Sequence, residues 1–162
     1  MTSLLTPDTL AQVLGVAESQ LGTVEEPPNT NRGPKVEEYQ RAAHLKPGDP
    51  WCAAFVAWVG KQVLQSAWPI PAYGGCASLG DWAKKHGHLQ TTAQVGDVFL
   101  LYYPKLKRFA HTGFIVGVAN GAAFRTIEGN TSGGGSREGW GVFARMRTFG
   151  PRDRFIRMTV TT

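Results

Sequence analysis

The chain has 162 residues, of which 42% are hydrophobic and 18% are charged. A chain of this length fits one domain with its own core, because folds of about 150 residues bury roughly 68–70% of their unfolded surface. No apolar run approaches the roughly 18 residues of a membrane-spanning helix, and the composition is not that of a disordered chain. We therefore expect residues 1–162 to form a single folded domain.

The positive charge is concentrated in the second half of the sequence. Residues 1–81 carry 5 Lys or Arg against 8 Asp or Glu, a balance of −3, whereas residues 82–162 carry 12 against 4, a balance of +8. A basic surface favours an anionic partner. No nucleic-acid-binding motif accompanies it, so we predict no specific nucleic-acid partner. The first 20 residues have no Lys or Arg, which predicts synthesis in a cytoplasm without a signal peptide.

Helix signals dominate the first half. The segment Thr6-Pro7-Asp8 is typical of a helix start, and apolar residues follow it at helical spacing as far as Gly22. A second, more polar helix is predicted over residues 34–43. The pair Asp49-Pro50 predicts the cap and first residue of a third helix, which is apolar nearly all round and should be buried. A shorter amphipathic helix is predicted from Ser78 to His86.

After Gln94 the hydrophobic pattern changes to that of strands. Five short segments rich in β-branched and aromatic residues are separated by Gly, Pro, Asn and Asp. These segments cover residues 95–103, 111–119, 123–130, 141–149 and 153–160. Helices followed by consecutive strands predict an α+β domain, with N-terminal helices packed on a C-terminal antiparallel sheet.

Cys52 stands near the predicted start of the third helix. Unpaired backbone N–H groups and the helix dipole favour a thiolate there. A nucleophile and a small core residue are both compatible with this position. Cys76, the other cysteine of the chain, is expected to pack as a small apolar residue. With two cysteines in a domain of this size, a disulfide scaffold is not expected.

Three polar side chains on the predicted strands complete a possible catalytic set. His111 shares a strand face with Gly113, which leaves room beside the imidazole. Glu128 and Asn130 lie at the end of the next strand. A cysteine peptidase needs a thiolate, a histidine base and a polar residue that fixes the imidazole. Cys52 and His111 supply the first two. Either Glu128 or Asn130 can hold the ring.

The segments PWCAAFVAW, VGDVFLLYY, AHTGFIVGV and TIEGNTS occur in this order. Together they resemble the CHAP family, the cysteine, histidine-dependent amidohydrolases and peptidases of bacteriophage lysins. The resemblance covers residues 10–148 and implies a papain-like α+β fold of the NlpC type. It also implies hydrolysis of an amide bond in peptidoglycan, either the bond between muramic acid and L-alanine or one within the stem or cross-bridge peptide.

Position by position, the resemblance implies that Cys52 is the nucleophile and His111 the general base. Glu128 corresponds to the residue that orients the imidazole, and Asn130 to a supporting polar residue. The implied reaction needs no metal or organic cofactor. Some members carry several aspartates before the nucleophile as a calcium loop, but only Asp49 is present here, so we predict no calcium site. The histidines and cysteines lack the paired spacing of a zinc site.

Two tryptophans are candidates for the wall of a substrate cleft. Trp51 adjoins the nucleophile, and Trp140 follows the SGGGS stretch at 132–136. The stretch lacks the Lys and the strand-to-helix context of a phosphate-binding loop. We expect it to be a flexible loop that borders the cleft. Trp58 lies inside the buried helix and is expected to be core.

The sequence is therefore interpreted as a phage endolysin that consists of a catalytic domain without a separate cell-wall-binding domain. We expect a monomer that is made in the host cytoplasm and acts on the wall after release. The basic half is expected to attract anionic wall polymers or an outer-membrane surface. A secreted bacterial effector or wall-remodelling peptidase is the alternative with the same chemistry. A non-catalytic module that binds wall or nucleic acid is the alternative of another class.

Overall fold

The computed structural model describes residues 4–132 and 139–159, in which four α-helices precede six strands. The helices are α1 (Pro7–Ser19), α2 (Pro34–Ala42), α3 (Cys52–Leu64) and α4 (Cys76–Lys85), with a 3-10 turn at Gln65–Ala67 after α3. The strands are β1 (Leu89–Gln90), β2 (Val98–Tyr103), β3 (Arg108–Val118), β4 (Phe124–Thr131), β5 (Gly141–Arg147) and β6 (Arg154–Ile156). Helices packed on one antiparallel sheet confirm the predicted α+β class.

Helix α1 forms as its sequence predicts. Thr6 is the N-cap, and its hydroxyl accepts a hydrogen bond from the backbone N–H of Thr9 at 3.2 Å. Pro7 occupies the first turn, where its missing N–H costs nothing. The chain then turns through Gly22, whose φ of +87° lies in the region that glycine tolerates.

Helix α3 is the central helix of the domain. It packs against the helices α1 and α2 and against the strands β3 and β4. Its predicted cap is wrong, because the helix begins at Cys52 with Trp51 at the N-cap position. The Asp49 carboxylate instead accepts from the backbone N–H of Lys46 at 2.8 Å and closes the preceding turn. Cys52 is consequently the first residue of the helix.

The six strands form one sheet in the order β1-β6-β2-β3-β4-β5, and each pair is antiparallel. Strand alternation divides the apolar side chains between two clusters. Val98 and Phe114 belong to the larger cluster, which includes the buried residues of the helices. Phe99 and Ile115 belong to a smaller one, together with Phe155. The central strands β2 and β3 are therefore buried on both faces over much of their length.

Several element boundaries differ from the sequence prediction, and one short strand was not predicted. Helix α4 begins at Cys76, two residues before the predicted Ser78. The last strand, predicted over 153–160, is only Arg154–Ile156, because its pairing with β2 covers three residues. The two-residue strand β1 was not predicted, since so short a segment carries no periodic signal. Among the described residues, no helix is both long and apolar enough to cross a membrane.

The contact between Gly60 and Trp68 gives a test of the packing around α3. A Cβ at Gly60 would lie 2.1 Å from Cδ2 of the Trp68 ring. We expect Gly60→Ala to lower the free energy of unfolding by about 1–3 kcal/mol, because the indole must shift. Gly15 in α1 has nothing within 4 Å of such a Cβ, and Gly15→Ala should raise the free energy by about 0.5–1 kcal/mol. Urea unfolding measures both, and equal stability of the two variants would contradict this packing.

Candidate active site

The site is built around Cys52 at the start of α3. The first N–H groups of a helix have no partner within it, so they can stabilise negative charge at this thiol. Cys52 is buried, with 7% of its surface exposed, and it borders a cavity of about 360 Å³. This cavity is lined by the loop before α3, the start of α4 and the start of β3. Leu45, Arg108 and Ala110 are among the lining residues. The nucleophile predicted from sequence is thus next to open space.

The second part of the site is a pair of buried side chains on neighbouring strands. Nε2 of His111 on β3 lies 2.7 Å from Oε1 of Glu128 on β4, and both side chains are completely buried. An ionised carboxylate only accepts hydrogen bonds, so Nε2 donates and always carries a proton. Nδ1 is therefore the nitrogen that titrates. It makes no hydrogen bond within the described residues, which leaves it available to the thiol of Cys52.

Gly113 makes room for this pair. A Cβ at Gly113 would lie 2.9 Å from Cγ of Glu128 and 2.9 Å from Cε1 of Phe99. The prediction that a glycine leaves space beside His111 is confirmed, and Glu128 occupies that space.

Arg147 on β5 holds the Glu128 carboxylate and was missed by the sequence analysis. Its Nε donates to one carboxylate oxygen, and its Nη2 donates to the other at 2.7 Å. Thr126 adds a third donor at 2.6 Å. Burial by itself would raise the pKa of Glu128, but the hydrogen bonds from Arg147 and His111 lower it to about 2. Only strand register could reveal Arg147, because nothing in the spacing of β5 distinguishes it from Arg145.

The pKa values of Cys52 and His111 shift in opposite directions. Hydrogen bonding from Cys76 and the interaction with His111 hold the pKa of Cys52 well below its usual range, although burial favours the neutral thiol. Burial would also lower the pKa of His111, but Cys52 and Glu128 raise it to about 9. At neutral pH these shifts favour a thiolate beside an imidazolium, which is the reactive form of a cysteine nucleophile.

Asn130 supports the backbone before Cys52 and does not hold the imidazole. Its φ is +53°, and the β4–β5 register shifts between Glu128 and Thr131, so it does not continue the strand face. With its amide oriented to satisfy its neighbours, the Asn130 oxygen accepts from the backbone N–H of Trp51 at 3.3 Å. Its nitrogen donates to the Gly139 carbonyl at 2.9 Å. The sequence left open whether Glu128 or Asn130 holds the imidazole of His111, and in the structure the partner of the ring is Glu128.

The two tryptophans have different surroundings. Trp51 is 0% exposed, its Nε1 donates to Glu25 at 2.9 Å, and its ring stacks on Tyr39. Its predicted place on the cleft wall is therefore wrong, because the indole is enclosed and its N–H is satisfied. Trp140 is 39% exposed and packs edge-to-face on Phe143, but it does not line the cavity beside Cys52. Its role in binding stays a prediction.

Three further predictions concern groups around the site. Cys76 is buried as expected, but its sulfur also lies 3.8 Å from that of Cys52, so it does more than fill space. Residues 133–136 of the SGGGS stretch lie outside the described residues. Over residues 4–132 and 139–159, no three His, Cys, Asp or Glu side chains are grouped to hold a metal ion. That the site works without a metal or cofactor stays a prediction.

The His111–Glu128 contact predicts a measurable change in titration. In the wild-type protein, His111 should stay protonated up to a pKa of about 9. In Glu128→Gln the counter-charge is lost while Arg147 keeps its positive charge, so the pKa of His111 should fall by about 1–3 pH units. NMR titration of the imidazole resonances measures this pKa.

A matched control is Glu18→Gln, which removes a surface carboxylate that pairs with Arg125 on β4 at 3.0 Å. This variant should leave the pKa of His111 unchanged, because exposed charges are screened by solvent. An unchanged value in Glu128→Gln as well would contradict the arrangement described here.

Comparison with known proteins shows the family of the chain and a structure of similar fold. The model of the CHAP domain family matches residues 44–130, more than half of the chain. The crystal structure of Ly7917 is similar in fold, with a TM-score of 0.52 at 14% sequence identity, over 91% of this chain and 62% of that one. This chain therefore spans less than two thirds of the length of that structure. No curated protein sequence matches significantly. On the family match, the chain belongs to the CHAP domain family.

Proposed function

We propose that this protein is a cysteine-dependent hydrolase that cleaves an amide bond of bacterial peptidoglycan. The observation that carries the proposal is the interaction of Cys52, at the start of α3, with His111 of the buried His111–Glu128 pair. The pKa of the Cys52 thiol is lowered and that of the His111 imidazole is raised, so both shifts favour the thiolate–imidazolium pair. Cys52 also borders the cavity of about 360 Å³, which offers space for a substrate carbonyl.

In the proposed first step, the Cys52 thiolate attacks the carbonyl carbon of the amide. Negative charge then develops on the carbonyl oxygen, and the backbone N–H of Cys52 is a suitable donor because α3 begins there. The proton on Nδ1 of His111 passes to the leaving nitrogen, the C–N bond breaks, and an acyl-enzyme thioester remains. Glu128 keeps the proton on Nε2 throughout, so proton transfer is confined to Nδ1.

In the second step, water attacks the thioester. Nδ1 of His111, now neutral, takes one proton from the water, the C–S bond breaks, and the Cys52 thiolate is restored. The product leaves as a carboxylic acid, which releases the second proton to the solvent. The imidazolium that forms again is stabilised by the ionised Glu128, whose own charge is balanced by Arg147. The starting thiolate–imidazolium pair is regenerated without a cofactor.

The biological setting that we propose is host lysis by a phage endolysin. The protein would be made in the host cytoplasm, act as a monomer and reach the wall after release. The bond cleaved would be the N-acetylmuramoyl-L-alanine amide or a peptide bond of the stem or cross-bridge. The basic second half, at +8, supports attraction to anionic wall polymers or outer-membrane lipids.

Digestion of purified peptidoglycan tests the chemistry. We expect the wild-type protein to release fragments with new amino termini or free lactyl carboxyl groups, which mass spectrometry and end-group analysis distinguish. Cys52→Ala and His111→Ala should each lose about 10³-fold or more of this activity, because the nucleophile and base act as a unit. His86 is an exposed histidine whose Nδ1 contacts a helix carbonyl, and His86→Ala should retain activity. Full activity in folded Cys52→Ala would refute the proposal.

The basic surface predicts that wall binding depends on salt. Lys84, Arg152 and Arg154 border a second cavity of about 320 Å³, where Arg152 lies over the Tyr102 ring. Sedimentation with wall fragments should show weaker binding at about 1 M than at about 0.1 M salt, because the Debye length falls from about 10 to about 3 Å. The double variant Arg152→Gln/Arg154→Gln should bind less and lose part of this dependence.

The matched control is Arg32→Gln, which removes an exposed cation from the acidic half of the chain. It should bind walls like the wild type. Salt-independent binding by the wild type would refute the electrostatic contribution while leaving the hydrolase proposal intact.

A further inference from the structure

The second thiol beside the nucleophile takes part in no bond-making or proton-transfer step of the proposed reaction. The Sγ atoms of Cys52 and Cys76 lie 3.8 Å apart, both residues are buried, and neither forms a disulfide. The two cysteines are 24 positions apart in sequence and belong to different helices. Proton transfer in the proposed mechanism runs through His111, so the position of Cys76 calls for a separate explanation.

Each cysteine is the first residue of a helix, Cys52 in α3 and Cys76 in α4. Two helix N-termini therefore meet at one pair of sulfur atoms. The positive end of a helix dipole stabilises a thiolate, and a thiolate is the species that reacts in oxidation and in disulfide exchange. Ordinary apolar packing does not require both sulfurs to occupy such positions.

The separation of the sulfurs is suited to a reversible bond. A disulfide has an S–S length of about 2.05 Å, so the two atoms must approach by less than about 2 Å, a distance within reach of rotation about the Cα–Cβ bonds. Both residues also line the cavity of about 360 Å³ beside the nucleophile. A small oxidant can therefore reach Cys52 by the route that the substrate carbonyl would take.

We propose that Cys76 is a resolving thiol, which forms a disulfide with Cys52 after a peroxide oxidises the nucleophile and so switches the hydrolase off reversibly. The loss of hydrolysis rests on the function proposed above, whereas the disulfide itself does not. The pair is a site of oxidative modification in addition to the catalytic arrangement.

The chemistry balances with hydrogen peroxide as the oxidant. The Cys52 thiolate attacks one peroxide oxygen, the O–O bond breaks, and hydroxide leaves as the sulfur becomes a sulfenic acid. The Cys76 sulfur then attacks the Cys52 sulfur, the S–O bond breaks, and the oxygen leaves as water after taking a proton. In total, two thiols and one peroxide give one disulfide and two waters. A dithiol reductant restores both thiols by exchange.

Cys76 then decides what happens to an oxidised nucleophile. With a thiol at hand, the sulfenic acid is converted to a disulfide, which a reductant reverses. Without it, further peroxide carries the sulfur to sulfinic acid, which a dithiol does not reduce. The presence of Cys76 thus separates reversible inactivation from permanent damage.

The test compares the wild-type protein with Cys76→Ala and Cys76→Ser. Each protein is treated with hydrogen peroxide, quenched, and then divided into portions with and without dithiothreitol. Intact mass and peptide mapping identify the state of Cys52, and peptidoglycan digestion gives activity relative to the untreated sample of the same variant. Because each activity is compared with the untreated sample of the same variant, a lower starting activity does not affect the comparison. Circular dichroism checks that each variant is folded.

We expect a Cys52–Cys76 disulfide in the wild type, with most activity lost and then recovered after dithiothreitol. Both Cys76 variants should acquire sulfinic acid at Cys52 and recover little activity. A wild-type protein that goes to sulfinic acid without a disulfide would overturn the inference, as would equal recovery in the wild type and both variants. Absence of hydrolysis in untreated wild type would count against the proposed function, while the mass measurement would still decide the disulfide.

Discussion

The arrangement at the site depends on one carboxylate that stays ionised although it is buried. Removing Glu128 from water disfavours its charge, and a buried charge is tolerated only when it is paired and hydrogen-bonded. Arg147 supplies both requirements through two donors, and Thr126 supplies a third. The carboxylate therefore stays ionised and does not take a proton from His111. It acts purely as an acceptor, which fixes the orientation of the ring and the proton on Nε2.

This network is also the reason why the sheet matters to the chemistry. His111, Glu128 and Arg147 come from three adjacent strands, β3, β4 and β5. A slip of one residue in either strand pair would move one of these side chains to the opposite face. The apolar clusters on the two faces of the sheet oppose such a slip, because it would move Phe114 and Ile115 each into the cluster on the opposite face, where different side chains pack. Ordinary core packing therefore holds the charges in register.

The thiol of Cys52 and the imidazole of His111 form a second coupled pair, because one proton is transferred from the thiol to the imidazole. The raised pKa of His111 by itself stabilises the fold below its ordinary value of 6.5, and this contribution is lost as pH rises to about 9. The lowered pKa of Cys52 has the opposite effect, since it stabilises the fold above 9.0 and is lost as pH falls. Between 6.5 and 9 the two dependences offset each other, because the proton released by Cys52 is the one that His111 holds. The reactive charge pair thus adds little pH dependence to stability in that range.

The sequence by itself determined the α+β class, the first helix with its Thr6 cap, the approximate positions of strands β2 to β6 and the identity of the residues that could react. These features follow from local pattern: caps, hydrophobic period and the motifs around Cys52, His111 and Glu128. Tertiary structure alone decided that Glu128 and not Asn130 contacts the ring, that Arg147 neutralises Glu128, that Trp51 is enclosed and that Cys76 touches the nucleophile. Each of these depends on strand register, a positive φ or the meeting of two helix ends far apart in sequence. Such long-range placements are set by how the whole core packs, and no local pattern carries them.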